Sequence, residues 1–125
     1  MAEQTVETPL QRMELLIGEE NLNKLQNSSV MVVGIGGVGS YVCEALARSG
    51  VKKLILVDGD CVALSNLNRQ IHATYDTLNQ SKTQVMKERI LTYRNDCEVI
   101  CFDLFYKEEE NERLFSQPVD FVVDA

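Results

Sequence analysis

The chain has 125 residues, 45% of them hydrophobic and 25% charged, with a formal net charge of −7. This is enough for one domain with a packed core and not for two. No apolar run approaches the roughly 20 residues that span a bilayer. The polar, acidic start from Met1 to Glu7 lacks the basic and apolar regions of a signal peptide, so a cytoplasmic protein without membrane contact is expected. The acidic balance disfavours a surface for broad nucleic-acid binding, and any nucleotide or RNA must meet a local group of Lys and Arg.

Gln11 to Gln26 reads as a helix interrupted at Gly18, with Leu15, Leu16, Leu22 and Leu25 as apolar positions. Val30 to Val33 is a short buried strand ending at Gly34. Gly39 to Ser49 reads as a helix with Val42, Ala45, Leu46 and Ser49 along one side, and Gly50 follows where a C′ glycine belongs. Leu54 to Val57 is a second strand, closed by Asp58. The polar run from Gly59 to Gln80 is too long for an ordinary connection and reads as functional. The next helix runs from Ser81 to about Tyr93, with Ser81 and Gln84 in a capping-box pattern and Val85, Met86 and Ile90 facing inward. Glu98 to Phe102 is a third strand, Glu108 to Phe115 a short acidic helix, and Val119 to Val123 a fourth strand.

Strands alternating with helices predict an α/β fold, a Rossmann-like parallel sheet with flanking helices. The apolar strands imply that both sheet faces are covered. The expected organisation is an N-terminal helical segment over 1–28 and a Rossmann-like nucleotide-binding half-domain over 29–125, truncated after its fourth strand. Cys43, Cys61, Cys97 and Cys101 form no C-x-x-C pair and read as buried small hydrophobes, Cys97 and Cys101 sharing one face. No metal ligand is assigned.

Gly34, Gly36 and Gly39 match G-x-G-x-x-G, with Gly37 added. The pattern follows a strand, opens a helix and precedes an acid about 20 residues on, which is the context of a nucleotide site. Helix N-terminal N–H groups and the dipole favour an anion there. Asp58 stands where a carboxylate accepts hydrogen bonds from ribose hydroxyls, and Asp60 is a second candidate. Ser65, Asn66 and Arg69 follow, and Lys82 lies in the first turn of the next helix, where a cation opposes the dipole unless an anion intervenes. Arg69 and Lys82 together fit a triphosphate clamp better than a dinucleotide site. An NAD(P)- or FAD-binding oxidoreductase domain and a non-catalytic nucleotide-binding module are the alternatives.

Gly34-Ile35-Gly36-Gly37-Val38-Gly39-Ser40, Asp58-Gly59-Asp60, Ser65-Asn66-Leu67-Asn68-Arg69-Gln70 and Gln80-Ser81-Lys82 resemble the adenylating enzymes related to ubiquitin-activating enzymes, the ThiF/MoeB/HesA superfamily. Within it, Arg69 to Ala73 and Arg12 to Gly18 look most like the branch of tRNA threonylcarbamoyladenosine dehydratases. The resemblance implies ATP as the bound nucleotide and adenylation of a carboxylate. It implies contacts to the nucleotide from the glycine turn, to its ribose from Asp58, and to its phosphates from Asn66, Arg69 and Lys82. Arg12 would reach the ATP of a neighbouring subunit, which makes a homodimer expected and Arg12, Arg69 and Lys82 the catalytic candidates. The substrate would be a modified tRNA or, in other branches, a ubiquitin-like sulfur carrier. The family's Mg2+-binding aspartate normally lies just beyond the position of Asp124, so the portion in hand is expected to bind ATP weakly without turning it over. Pro9 and Tyr93-Arg94-Asn95 depart from the family pattern at peripheral positions, and His72 recurs in the branch without an assigned role.

Overall fold

The computed structural model describes residues 7–125. In chain order these form α1 (Gln11–Ile17), α2 (Glu19–Leu25), β1 (Ser29–Val33), α3 (Gly37–Ser49), β2 (Lys53–Val57), α4 (Lys82–Leu91), β3 (Glu98–Phe102), α5 (Asn111–Leu114) and β4 (Phe121–Asp124), with 3-10 turns at Leu64–Asn66 and Glu108–Glu110. The strands make one parallel sheet in the order β3-β2-β1-β4. This is the Rossmann-like α/β arrangement expected from the alternation of elements.

Strand order positions the site. The chain steps outward from β1 to β2 to β3, then returns to lay β4 on the other side of β1. Right-handed crossovers place the outward and returning connections on opposite faces, and the core divides accordingly. Val30, Val32, Leu54 and Leu56 pack with Cys43 and Ala47 of α3 and with Met86 and Ile90 of α4. The alternate residues Met31, Ile55 and Val57 pack with Leu114 of α5 on the other face. Each large side chain fully buried this way contributes about 1.5–3 kcal/mol. The order reverses between β1 and β4, and ligands of such sheets bind in the crevice that opens there, at the strands' C-terminal ends.

Several expectations are corrected. Gly18 does break the first helix, at φ 86°, but Leu15 and Leu16 of α1 are exposed and only Leu22 of α2 is buried. α3 begins at Gly37, and its buried positions are Gly39, Ser40, Cys43, Glu44 and Ala47. Small side chains let this helix lie close on the sheet, so the larger Val42 and Leu46 sit at its margin and Ala45 points away. The acidic helix is a 3-10 turn followed by the single turn of α5. Covered faces hold for β1 and β2, whereas β4 is an edge strand with Phe121 and Val122 exposed. Cys97 and Cys101 do share the helix-covered face, but Cys61 is exposed rather than buried. Among the described residues no helix is long and apolar enough to cross a membrane.

Candidate nucleotide site

Three residues join β1 to α3, and they must turn the chain sharply. Gly34 does so at φ 94°, where a Cβ would also lie 2.5 Å from the carbonyl oxygen of Ala125. A Cβ on Gly39 would overlap the carbonyl oxygen of Gly34. These two glycines are demanded by the turn's own packing. Gly36 and Gly37 differ: a Cβ there would come no closer than 3.9 Å to Gln70 and 3.7 Å to the Arg69 stem respectively. Their bareness leaves space for a ligand beside the backbone. Gly36 is the N-cap of α3 and offers no side-chain cap, so the first-turn N–H groups keep their hydrogen-bonding capacity for an anion.

Asp58, at the end of β2, holds this turn from the side. Its Oδ2 accepts the Ile35 N–H at 2.7 Å and its Oδ1 accepts the Asp60 N–H at 2.7 Å. A carboxylate has about four acceptor sites, so each oxygen keeps a lone pair for a further donor such as a ribose hydroxyl. Asp58, Asp60 and Gly34 line a cleft of about 140 Å³ together with Phe105 and Tyr106. A larger cleft of about 500 Å³, lined by Leu10, Glu14, Leu22 and Arg94, lies toward the other end of α3 and includes none of the nucleotide-motif residues between Gly34 and Lys82. Chemistry rather than size marks the site.

The long polar segment folds back over the glycine turn. Leu64–Asn66 forms its 3-10 turn, closed by the Ala63 N–H donating to Asn66 Oδ1 at 2.8 Å. Asn66 is buried and Ser65 exposed. Arg69 is exposed and lies with its stem against Gly37, its Nη1 donating to Ser65 O at 3.0 Å and Asn68 Oδ1 at 2.9 Å. The Ile71 N–H donates to Ser40 Oγ at 3.3 Å, and the His72 ring, 2% exposed, meets Ile35 O through Nε2 at 2.8 Å.

Lys82 starts α4 yet is only 6% exposed, and its Nζ stands 3.8 Å from Asp60 Oδ2. Its backbone N–H donates to Asp60 O at 3.1 Å. The anion anticipated beside this dipole-opposed cation therefore includes Asp60 of the same chain. At 3.8 Å the pair is loose, and three ammonium donors are not saturated by it. Ser81 accepts from the Gln84 N–H at 3.4 Å, the first half of the capping box, while its hydroxyl donates to Asp103 Oδ1 at 2.6 Å.

Arg12 does not join this group. It is exposed on α1, next to Leu10, whose side chain packs on Gly50 at the C-terminal end of α3. The thirteen residues of α3 put that end roughly 20 Å from the glycine turn.

A second polar cluster lies on the α3–α4 side. Glu44 receives Arg89 at 2.7 Å, the Tyr93 hydroxyl at 2.6 Å and Arg48 at 3.4 Å, and the Arg48 guanidinium stacks 3.9 Å from the Tyr93 ring centroid. Burial pushes the Glu44 carboxyl up, but the hydrogen bonds from Arg89 and Tyr93 and the two guanidinium charges hold it below its ordinary value. Arg94 is not peripheral in packing: it is 6% exposed and caps α3, donating to Ala47 O at 2.7 Å and Val51 O at 3.2 Å. The role of Arg94 was not visible in the sequence, where it stood only within the peripheral departure Tyr93-Arg94-Asn95. Burial raises the Cys43 thiol to about 12 and pushes Cys97 and Cys101 upward as well, which makes them poor nucleophiles.

Comparison with known proteins accords with this geometry. The ThiF family matches residues 10–125. The tRNA threonylcarbamoyladenosine dehydratase of Bacillus subtilis (strain 168) is 51% identical over 114 residues, which are 91% of this chain and 45% of that protein. The crystal structure of Escherichia coli tRNA N6-threonylcarbamoyladenosine dehydratase in complex with ATP has a TM-score of 0.90 at 38% identity, over 94% of this chain and 48% of that one. Its complex with AMP gives 0.90 at 36%, over 97% and 51%. The chain spans about half the length of these relatives. With a match that covers nearly all of its residues, it belongs to the ThiF family.

Proposed function

We propose that the glycine turn binds ATP and that the protein activates a carboxylate by adenylation, as a tRNA threonylcarbamoyladenosine dehydratase, this chain being its ATP-binding portion. The observation that carries the reading is the pair of cations about the turn: Arg69 lies against Gly37, and Lys82 is buried beside Asp60 with donors to spare. A dinucleotide held by the glycine turn would leave both without a task.

In this reading the carboxylate oxygen of the substrate attacks the α-phosphate and pyrophosphate leaves. Arg69, Lys82 and the N–H groups at the start of α3 offset the charge that develops on the phosphate oxygens. Asp58 orients the ribose with the lone pairs not used by Ile35 and Asp60. Gly34 and Gly39 shape the turn, and Gly36 and Gly37 leave it bare. Asn66 and Ser65 act by setting the loop from which Arg69 extends. Arg12 serves the site of a second subunit in a homodimer, because its distance from the glycine turn of its own chain is too great. The carboxylate is carried by a modified tRNA adenosine, in the cytoplasm, and internal attack on the acyl carbon of the adenylate breaks its bond to the phosphate oxygen, closing a ring and releasing AMP. The segment 1–28 is the helical arm of this arrangement and 29–125 the nucleotide-binding half-domain. Mg2+ would accompany the triphosphate, but among the described residues no group of three His, Cys, Asp or Glu is placed to hold a metal, and no step is assigned to it.

Thermal unfolding with added nucleotide tests the reading. ATP is expected to raise the melting temperature and NAD to leave it unchanged, and Lys82→Met is expected to abolish the ATP effect. Stabilisation by NAD instead, or an undiminished ATP effect in Lys82→Met, contradicts it.

A further inference from the structure

We propose that His72 is a positioning residue of the nucleotide site, aiming the Gly36 N–H at the bound phosphate by holding the Ile35 carbonyl. The inference rests on the ATP reading for the identity of the anion, but its geometry stands alone. His72 Nε2 and Ile35 O are 2.8 Å apart in a site where the ring is 2% exposed. A carbonyl only accepts, so Nε2 carries the proton and donates. The Ile35 carbonyl and the Gly36 N–H belong to one planar trans peptide, in which C=O and N–H point in opposite directions. Fixing the carbonyl inward on His72 therefore turns the Gly36 N–H outward, at the N-cap of α3.

The preceding peptide is fixed separately, by the Ile35 N–H donating to Asp58 Oδ2 at 2.7 Å. Ile35 is thus pinned at both ends by residues from two different segments. The bond from His72 also ties the loop carrying Arg69 to the turn that Arg69 covers, assisted by Ile71 N–H on Ser40 Oγ at 3.3 Å.

A purely space-filling role does not account for an imidazole here. With Nε2 protonated, Nδ1 is an acceptor, and it is buried without a hydrogen-bond partner. Leaving a buried polar atom unpaired is costly, and an apolar side chain would avoid it. Burial, and then the nearby Lys82 charge, push the ring's pKa below its ordinary value of 6.5 against the opposing effects of Ile35 O and Asp58. The ring is therefore neutral near pH 7 and donates through one nitrogen only.

Two amide substitutions in the full chain separate the roles. In His72→Gln the side-chain NH2 falls near the position of Nε2 and keeps the bond; in His72→Asn it falls near Nδ1 and cannot reach Ile35. His72→Asn is expected to weaken ATP binding in calorimetry about tenfold, and His72→Gln to stay within about threefold of the parent. Ile90→Val, a core change away from the turn, is expected to bind ATP as the parent does. Equal ATP affinity for the two amide variants overturns the proposal, as does an Ile90→Val loss matching that of His72→Asn. Hydrogen exchange of the Ile35 amide, protected by its bond to Asp58 Oδ2, tests the clamp in unliganded protein without nucleotide. Faster exchange in His72→Asn than in His72→Gln is expected, and equal rates overturn the clamp even if the parent proves not to bind ATP.

Discussion

Glu44 and Lys82 are both charged residues buried against helices, 8% and 6% exposed, but they are treated differently by their surroundings. Glu44 is saturated: two guanidinium groups and a phenol converge on it from α3, α4 and the turn beyond. Lys82 has a single loose ion pair, and in the loop over the glycine turn Gln70 and His72 each keep a buried side-chain atom without a partner. A fully paired charge is what a scaffold needs, because partial pairing of buried groups is costly. A region that tolerates open donors and acceptors is one that a ligand completes. On this contrast the α3–α4 face is framework and the crevice over the glycine turn is the site.

The contrast can be broken most severely at the glycines. Gly39→Ala would drive a Cβ into the Gly34 carbonyl, and the expected loss exceeds about 4 kcal/mol, so circular dichroism should find little folded protein. Glu44→Gln should come next, costing about 2 kcal/mol in urea unfolding at pH 7 through weakened charged hydrogen bonds. Its sign with pH follows from a folded pKa below the ordinary 4.5. The stabilising contribution is complete above the unfolded value and disappears as pH falls below 4.5 through the folded one, so parent and variant should converge in acid. Gly37→Ala should have the smallest stability effect. The new Cβ would meet only the Arg69 stem at 3.7 Å, and alanine is the better helix former by up to about 1 kcal/mol. Stability should hold or rise while ATP binding falls, which separates the two kinds of glycine within one turn.

Much of this was legible in the sequence, because the strand, the glycine spacing, the acid after β2 and the inward face of α4 are local patterns. The double use of Asp58 was not legible, since it depends on backbone N–H groups at Ile35 and Asp60. The inner face of α3 misled because hydrophobicity points to Val42 and Leu46, whereas close packing selects Gly39, Ser40, Cys43 and Ala47. Arg94 read as part of a peripheral turn, and only folding brings it beneath the C-terminal carbonyls of α3. Likewise, Lys82 could be placed near an anion from its helix position, but Asp60 as part of that anion required the fold.

The most direct test pairs two variants and two measurements: unfolding free energy and ATP affinity for Glu44→Gln and Lys82→Met. Opposite outcomes are expected, with Glu44→Gln less stable yet binding ATP as the parent does. Lys82→Met should be as stable as the parent or more so and lose ATP binding. A Lys82→Met protein that loses stability and binds ATP normally would instead make Lys82 part of the framework and not of the site.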